Sequence, residues 1–401
     1  MTQRVVITGA GTINALGHDV PSTLAALAGG VCGIGPLDIP DVERLSNRIG
    51  AQVRGWTASE HFDLRSLGLY DRMTQFALWS ARQAVAQSGL TFDTALALRS
   101  GVILGTAGGG LGTIDDSFRA VYAEGKNRVH PLTVPRLMAS AGVSHISMEF
   151  GLRGPAFTVS TACASSNHAM GLAFQMVRSG AAPVMLTGGA EAMLTFGGLK
   201  AWEGLRVMAP EACRPFCAGR SGMVQGEGAA VFVFESLDHA RARGAQILAE
   251  VAGFAMTSDA HDIVMPSVDG GLRALQAALA DAGVSPDEVG YINAHGTGTK
   301  ANDVNEAAAI RAVFGAAPPP VSSTKAAHGH MIGATGAVEA LACLMALRDG
   351  IIAPTLGHQT PDPEILLDVV PNVARRAQVK VAVSNAFAFG GLNAVMVLRQ
   401  V

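Results

Sequence analysis

Charge is scarce in this chain. Only 15% of its 401 residues are Asp, Glu, Lys or Arg, while 49% are hydrophobic. The 29 basic and 32 acidic side chains leave a net charge of −3, which argues against nucleic acid as a bulk partner. No stretch reaches the ~18 uninterrupted apolar residues of a bilayer-spanning helix, so no transmembrane segment is expected. The opening "MTQRVVITGAGTINALG" lacks a long apolar core followed by a cleavage site, and reads as a first strand rather than a signal peptide. Cysteine is sparse and odd in number: five, irregularly spaced, which reads as reduced thiols of a cytoplasmic protein rather than a disulfide frame. Zinc finds no home either, because "CRPFC" (Cys213, Cys217) has no second ligand pair at metal-site spacing. Linkers of disordered composition are missing, and the one proline cluster, Pro318 to Pro320, leads straight into a strand.

What the chain has is length, apolar mass and glycine. It exceeds the ~100–200 residues of one typical domain, so two core-forming units, or one fused unit, are expected. The 48 glycines carry no collagen period and point to tight turns and close backbone packing. Short Val/Ile-rich runs ("RVVITG", "RSGVILGT", "GAAVFVFES", "VGYINAHG") alternate with Ala/Leu-rich stretches ("DRMTQFALWSARQAVAQSG", "DGGLRALQAALADAGV"). That alternation predicts an α/β protein with buried sheets. One internal echo suggests two related halves. "FTVSTACASSNHAMG" and "PPVSSTKAAHGHMIG" share a frame in which Val159 and Ser160 match Val321 and Ser322, Cys163 matches Lys325, and His168 matches His330.

Four motifs carry candidate chemistry. In "TVSTACASSNHAMG" a single thiol, Cys163, sits where a strand hands over to a helix; the orphan N–H groups of a helix start would favour its thiolate. Cys32, Cys213, Cys217 and Cys343 lack such a corner and read as structural. "NAHGTGT" puts His295 at a strand end, with Thr297 and Thr299 offering hydroxyls to a polar chain. "STKAAHGHMIGATGAVE" gathers Lys325, His328, His330 and Glu339 around a turn and a helix start. "SNAFAFGGLN" ends in Gly390 and Gly391, which let backbone amides approach a ligand. A cysteine, two histidines and a lysine suit a cysteine nucleophile site. "GAGTINALG" lacks the spacing and the acidic residue of a dinucleotide loop.

Taken in order, "TACASS", "NAHGTGTKAND", "STKAAHGHMIGATGAVE" and "SNAFAFGGLN" resemble the β-ketoacyl-[acyl-carrier-protein] synthases, the elongating type with a Cys-His-His triad. Within that family, "LKAWEGLRVMAP", "CRPF" and "GTGTKAND" look most like the rhizobial nodulation protein E branch. The resemblance runs over essentially the whole chain. It implies a thiolase-like fold, two pseudo-duplicated halves in a five-layered α-β-α-β-α core, here divided as residues 1–252 with the cysteine and 253–401 with the histidines and lysine. It implies a homodimer in the cytoplasm, and ping-pong condensation of an acyl group on Cys163 with a malonyl unit held on the phosphopantetheine of an acyl carrier protein. No further cofactor is required. By the same resemblance His295 and His330 donate to the malonyl thioester oxygen, and Lys325 with Glu339 supports the site. The N–H groups of Cys163 and Phe389 form an oxyanion hole, Phe389 gates, and Thr297, Thr299 and Gly390 contact the pantetheine side. Asn293, Glu339, Ser384 and Asn385 match a buried monovalent-cation site of some relatives. Arg65, Lys126, Arg128 and Arg206 match carrier-docking positions.

The chain departs from the housekeeping pattern at several of these places. Gly108 stands for a usual Ile of the acyl pocket, Thr133 for a Phe across the dimer, and Trp202 for a gating Phe. Weighing the two losses of volume above the one gain predicts a pocket enlarged for long or unsaturated chains. Three other readings compete. A thiolase needs a second cysteine in its C-terminal loop, where this chain has Phe389. A chain-initiating synthase has Asn where this chain has His330. A non-catalytic chain-length partner lacks the nucleophile that Cys163 supplies.

Overall fold

The computed structural model describes residues 2–401. Ten strands form one sheet system. The first five are β1 (Val5–Asn14), β2 (Gly101–Gly105), β3 (Ala156–Val159), β4 (Val184–Glu191) and β5 (Gly228–Ser236). The second five are β6 (Ala249–Ser258), β7 (Tyr291–Asn293), β8 (Val321–Ser322), β9 (Val381–Ala388) and β10 (Leu392–Arg399). Their order across the sheet is β8-β7-β9-β10-β6-β1-β5-β4-β2-β3. Each strand of the first half therefore has a counterpart five strands later, at the mirrored position. The directions match too. β2 runs parallel to β3 and β4, and β4, β5 and β1 alternate antiparallel. β7 runs parallel to β8 and β9, and β9, β10 and β6 alternate antiparallel. Within the sheet, the halves join where Val5–Ile7 of β1 lies antiparallel to Ala249–Val251 of β6.

Helices complete the layers. Helix α1 (Arg72–Ser88) covers β1, β5 and β4 on one outer face, with α2 (Ala141–Phe150) on β2 and β3. Asp71 caps α1 through Met73 N–H, and Gly89 ends it in the left-handed region at φ 66°, the stop its sequence predicts. On the far side α4 (Val268–Ala282) packs on β6, β10 and α5 (Lys300–Phe314). Between the halves lie α3 (Ser165–Arg178) and α6 (Thr335–Asp349), which touch each other and strands of both halves. Nearly every residue of α6 is buried, so it has no polar face to show. The result is the duplicated α-β-α-β-α stack expected from the sequence. Residue 252 falls inside β6, the first strand of the second half.

The echo between the two corner segments is half structural. Strands β3 and β8 are true counterparts, and Cys163 and Lys325 each follow shortly after. His168 and His330 are not counterparts in role: His168 lies within α3 with its Nδ1 on Ala164 O and Thr161 Oγ1, while His330 lies in a loop before α6. The two outer edges also differ. At β8, Val321 N–H donates to Asp368 O and Val370 N–H to Val321 O, each at 2.9 Å, so the chain covers its own edge. At β3, Ala156 and Phe157 are exposed.

Candidate active site

After β3 the chain turns sharply. Ala162 takes φ 48°, a strained value for a residue with a β-carbon, and Cys163 follows on the elbow before α3 begins at Ser165. The Ser165 hydroxyl fixes the turn, donating to Ala162 O at 2.6 Å and accepting Thr161 N–H at 2.9 Å. The end of β2 comes close enough that a β-carbon on Gly105 would sit 2.3 Å from the Ser165 backbone, so glycine there lets the elbow sit on the sheet. From the other half, His330 is held by backbone bonds to Val224 O (2.7 Å) and from Gly226 N–H (2.9 Å). Its Nε2 lies 3.0 Å from Cys163 Sγ. His295 stands two residues past β7, its ring centroid 5.6 Å from that of His330 at an interplanar angle of 82°. The sulfur and one nitrogen from each ring lie within 4.8 Å of one another.

Burial dominates the electrostatics. It pushes the Cys163 thiol up to about 12, against the pull of Lys325 and of the Phe389 and Cys163 N–H groups that point at the sulfur. The sulfur at rest is therefore a thiol, not the thiolate expected from a helix start; the elbow sits two residues before the helix, and desolvation outweighs the nearby dipoles. Both catalytic-site imidazoles are held well below the usual histidine range by burial and then by the Lys325 charge, so both are neutral. Lys325 Nζ donates to Glu339 Oε1 at 2.6 Å and to the His295 carbonyl, and the pair is fully buried. Burial lifts the Glu339 carboxyl to about 7, opposed by Lys325.

A cavity of about 340 Å³ leads to these groups. Cys163, His295, His330 and Phe389 line it together with Thr297 and Thr299, and Arg206 and Lys300 are exposed along it. A soft nucleophile, two neutral imidazole donors and two backbone N–H groups thus converge in a largely apolar channel. The profile of the Beta-ketoacyl synthase N-terminal domain matches residues 2–240, and that of the Beta-ketoacyl synthase C-terminal domain matches residues 248–359.

The chain belongs to the β-ketoacyl synthase family.

Among its relatives is nodulation protein E of Rhizobium sp. strain N33, 47% identical over 404 residues and 100% of both chains. The 3-oxoacyl-[acyl-carrier-protein] synthase 2 of Staphylococcus aureus strain COL is 40% identical over 407 residues, covering 99% of this chain and 98% of its own. Among solved structures, the ishigamide ketosynthase/chain length factor superposes with a TM-score of 0.95 at 37% identity over 100% of both chains. As a β-ketoacyl synthase the protein is an acyltransferase, and no helix among the described residues is long and apolar enough to cross a membrane.

The remaining residues singled out from sequence fall into three groups. Thr297 and Thr299 face the cavity with their hydroxyls 2.8 Å apart. Gly390 and Gly391 take φ 81° and 68° in the turn from β9 to β10, and a β-carbon on Gly391 would lie 2.5 Å from that of Asp259. This turn holds Phe389, whose ring stacks on Trp202 (centroids 6.0 Å, 24°). Gly108, Thr133 and Trp202 do not line the cavity. The room expected at Gly108 is taken: a β-carbon there would sit 3.1 Å from Met193 Sδ, so the thioether fills the space that the missing branched side chain leaves. Thr133 is buried, its hydroxyl on His130 O at 2.7 Å. Of the basic residues, Arg206 lines the channel, whereas Arg65, Lys126 and Arg128 are exposed outside it and Lys126 pairs with Glu124 at 2.6 Å.

Three residues escaped the sequence reading. Glu306 accepts the N–H of His295 (2.8 Å) and of Gly296 (2.7 Å) and so fixes the His295 loop. Glu191, fully buried at the end of β4, accepts from Thr106 Oγ1, Ala107 N–H, Gly108 N–H and Gly333 N–H. Thr335 touches His330. A lone acid closing the apolar run "VMLTGGAE" is a readable signal, since charged residues are seldom buried without dedicated partners.

Proposed function

We propose that this β-ketoacyl synthase performs decarboxylative Claisen condensation on thioesters carried by an acyl carrier protein. The convergence of Cys163, His330 and His295 at the end of the channel carries this reading. In the first half-reaction Cys163 Sγ attacks the acyl carbonyl, whose oxygen takes up the Phe389 and Cys163 N–H groups, and the carrier leaves as its thiol. In the second, the bond from the malonyl α-carbon to its carboxylate breaks. Carbon dioxide departs, and the electron pair remains as an enolate whose oxygen accepts from Nε2–H of His295 and His330. That carbon then attacks the Cys163 thioester, the C–S bond breaks with its electron pair passing to sulfur, a proton from solvent in the channel restores the thiol, and a 3-oxoacyl carrier two carbons longer is released. Preorganised donors to a developing oxyanion are worth ~10²–10³ in rate each. Burial, and then the Lys325 charge, keeps both histidines neutral and able to donate without carrying charge, and Glu339 holds Lys325 in place.

The phosphopantetheine arm would lie along Thr297 and Thr299, past Gly390, with the carrier seated at Arg206 and reaching Arg65, Lys126 and Arg128. No other cofactor enters the scheme. A monovalent cation fits the second half: the side-chain oxygens of Asn293, Ser384 and Asn385 are buried without a hydrogen-bond partner, and Glu339 adds a carboxylate. We place a second copy of the chain against β3, whose open edge carries Phe157 and on which packs α2 with its exposed Met148. Five free cysteines support a cytoplasmic setting. The nodulation protein E relatives favour specialised over housekeeping acyl synthesis, and the presence of Cys163 disfavours a purely chain-length-setting role. The test is to supply acyl and malonyl carriers to wild type and Cys163→Ala and weigh the products by mass spectrometry. A 3-oxoacyl product that depends on Cys163 is expected. Condensation surviving in Cys163→Ala overturns the reading.

A further inference from the structure

The hydrogen on His330 decides what that residue can do, and a neighbour outside the triad controls it. Thr335, the first residue of α6, is fully buried, and its Oγ1 lies 2.9 Å from His330 Nδ1. No other hydrogen-bond partner of this hydroxyl, or of Nδ1, is present among the described residues. A hydroxyl has one hydrogen to give, and a buried one left without an acceptor is costly. The Cys163 sulfur, 3.0 Å from Nε2, enters the choice of tautomer: a bare Nε2 could accept the thiol hydrogen, but a thiol is a weak donor that loses little by going without, whereas the buried hydroxyl loses more. If Nδ1 carried the ring hydrogen, Nδ1 and the hydroxyl would both be donors, and the threonine hydrogen would have nowhere to go. With Nδ1 as acceptor, the threonine hydrogen is placed and the ring hydrogen must sit on Nε2.

We infer that Thr335 is a positioning residue that donates to His330 Nδ1 and thereby holds His330 as an Nε2–H donor aimed at the space beside Cys163. This rests on the condensing role proposed above and deepens it. An Nε2 that already bears hydrogen cannot accept the Cys163 proton, so His330 serves the enolate oxygen and is not the base for the thiol. The second ring has a different anchor. His295 is fixed through its backbone N–H on Glu306, not through a ring nitrogen held by a hydroxyl. The two imidazoles therefore differ in how firmly their tautomer is set, and a change at Thr335 acts on His330 alone.

Thr335→Val keeps the shape and removes the hydroxyl; Thr335→Ser restores it. Two readouts separate orientation from mere packing. The first is 15N NMR of histidine-labelled enzyme, in which the His330 resonances are assigned with His330→Gln. Wild type and Thr335→Ser should show His330 with hydrogen on Nε2 and a hydrogen-bonded Nδ1, and Thr335→Val should lose the Nδ1 hydrogen-bond shift. The second compares malonyl decarboxylation with self-acylation of Cys163. Thr335→Val should slow decarboxylation roughly tenfold, the loss of one hydrogen bond's worth of orientation, with acylation changed far less and Thr335→Ser close to wild type. Hydrogen on Nδ1 in wild type overturns the inference, as does a valine variant that decarboxylates at the wild-type rate, or one that slows both half-reactions equally. If instead His330→Ala itself decarboxylates normally, the condensing role of His330 fails, which is a separate outcome from failure of the Thr335 contact. Should Thr335→Val not fold, Thr335→Ser and the wild-type tautomer still decide the matter.

Discussion

The indole of Trp202 stacks on the phenyl ring of Phe389, centroids 6.0 Å apart and planes 24° from parallel. Phe389 also points its backbone N–H at the Cys163 sulfur. The aromatic beside the nucleophile is thus clamped by a residue 187 positions earlier, and an acyl chain that left the channel toward Gly108 would meet that stack and Met193.

Acyl selection should follow from this packing. Trp202→Ala should raise the rate at which long acyl carriers load Cys163, because each methylene buried adds about 0.8 kcal/mol. Gly108→Ile should do the opposite by pressing on Met193, and Met193→Ala in the same chain should relieve it. Intact-mass measurement of acyl-enzyme against chain length checks both. Identical chain-length profiles in all variants would remove the stack and the thioether from the account of specificity.

The resting thiol has a pH signature. A thiol raised to about 12 presents a thiolate fraction that grows tenfold per pH unit throughout the range below it. Iodoacetamide alkylation of Cys163 in the free enzyme should climb steadily from pH 6 to about pH 10 without levelling off. A plateau near neutrality would mean a stabilised thiolate, and a much less buried sulfur than the structure shows.

Lys325 and Glu339 should be separable in stability but not in rate. Removing one partner of a buried ion pair typically costs about 3–5 kcal/mol, because the other charge is left stranded. Lys325→Met should therefore lower the unfolding midpoint strongly, and Lys325→Met with Glu339→Leu should recover most of it. Neither variant should regain condensation, since both lose the charge that faces the two imidazoles. Chemical denaturation beside a condensation assay reads the two effects. A double variant as unstable as the single would mean that the pair is not the source of the loss.

Glu191 binds the 106–108 loop of one half to Gly333 of the other, close to His330. Glu191→Gln keeps the shape but turns an NH2 toward two of the four donors. Buried donors left unpaired cost about 1–3 kcal/mol each, so a destabilisation of roughly 2–6 kcal/mol is expected on urea unfolding. Burial lifts this carboxyl to about 7, so its protonated form is favoured on folding and ionisation works against stability as pH rises through that value. The variant has no such titration. Its deficit should shrink as pH rises from 6 to 8, and a deficit that grows instead would contradict the sign.

Much of the site was legible because it is written in corners. A cysteine after a β-run, a histidine before glycines and a Gly-Gly turn are local patterns, and each landed where its strand ended. The strand-for-strand duplication was visible only faintly, in the shared frame around Cys163 and Lys325, because strand order and direction leave little mark in side-chain identity. The supporting carboxylates were harder. Glu191 serves N–H groups 84 and 142 positions away, and backbone donors leave no mark in a sequence. The space expected beside Gly108 is occupied for a related reason. Deleting a side chain at Gly108 suggests space, but packed interiors close over such gaps, and the residue that closes this one lies far along the chain. The thiolate expectation counted dipoles without counting desolvation, which only the buried position reveals.

The two rims of the duplicated sheet hold mirrored strands and are treated unequally. Val321 at one rim is bonded to Asp368 and Val370 of the same chain, while Ala156 and Phe157 at the other face outward. A molecule with both rims open could add neighbours at each end and grow into a fibre. With one rim sealed from within, strand pairing through the rims of this sheet would have room for one partner and no more. The covered rim would then act as a terminator of any such assembly, built into the half that carries the histidines and the lysine.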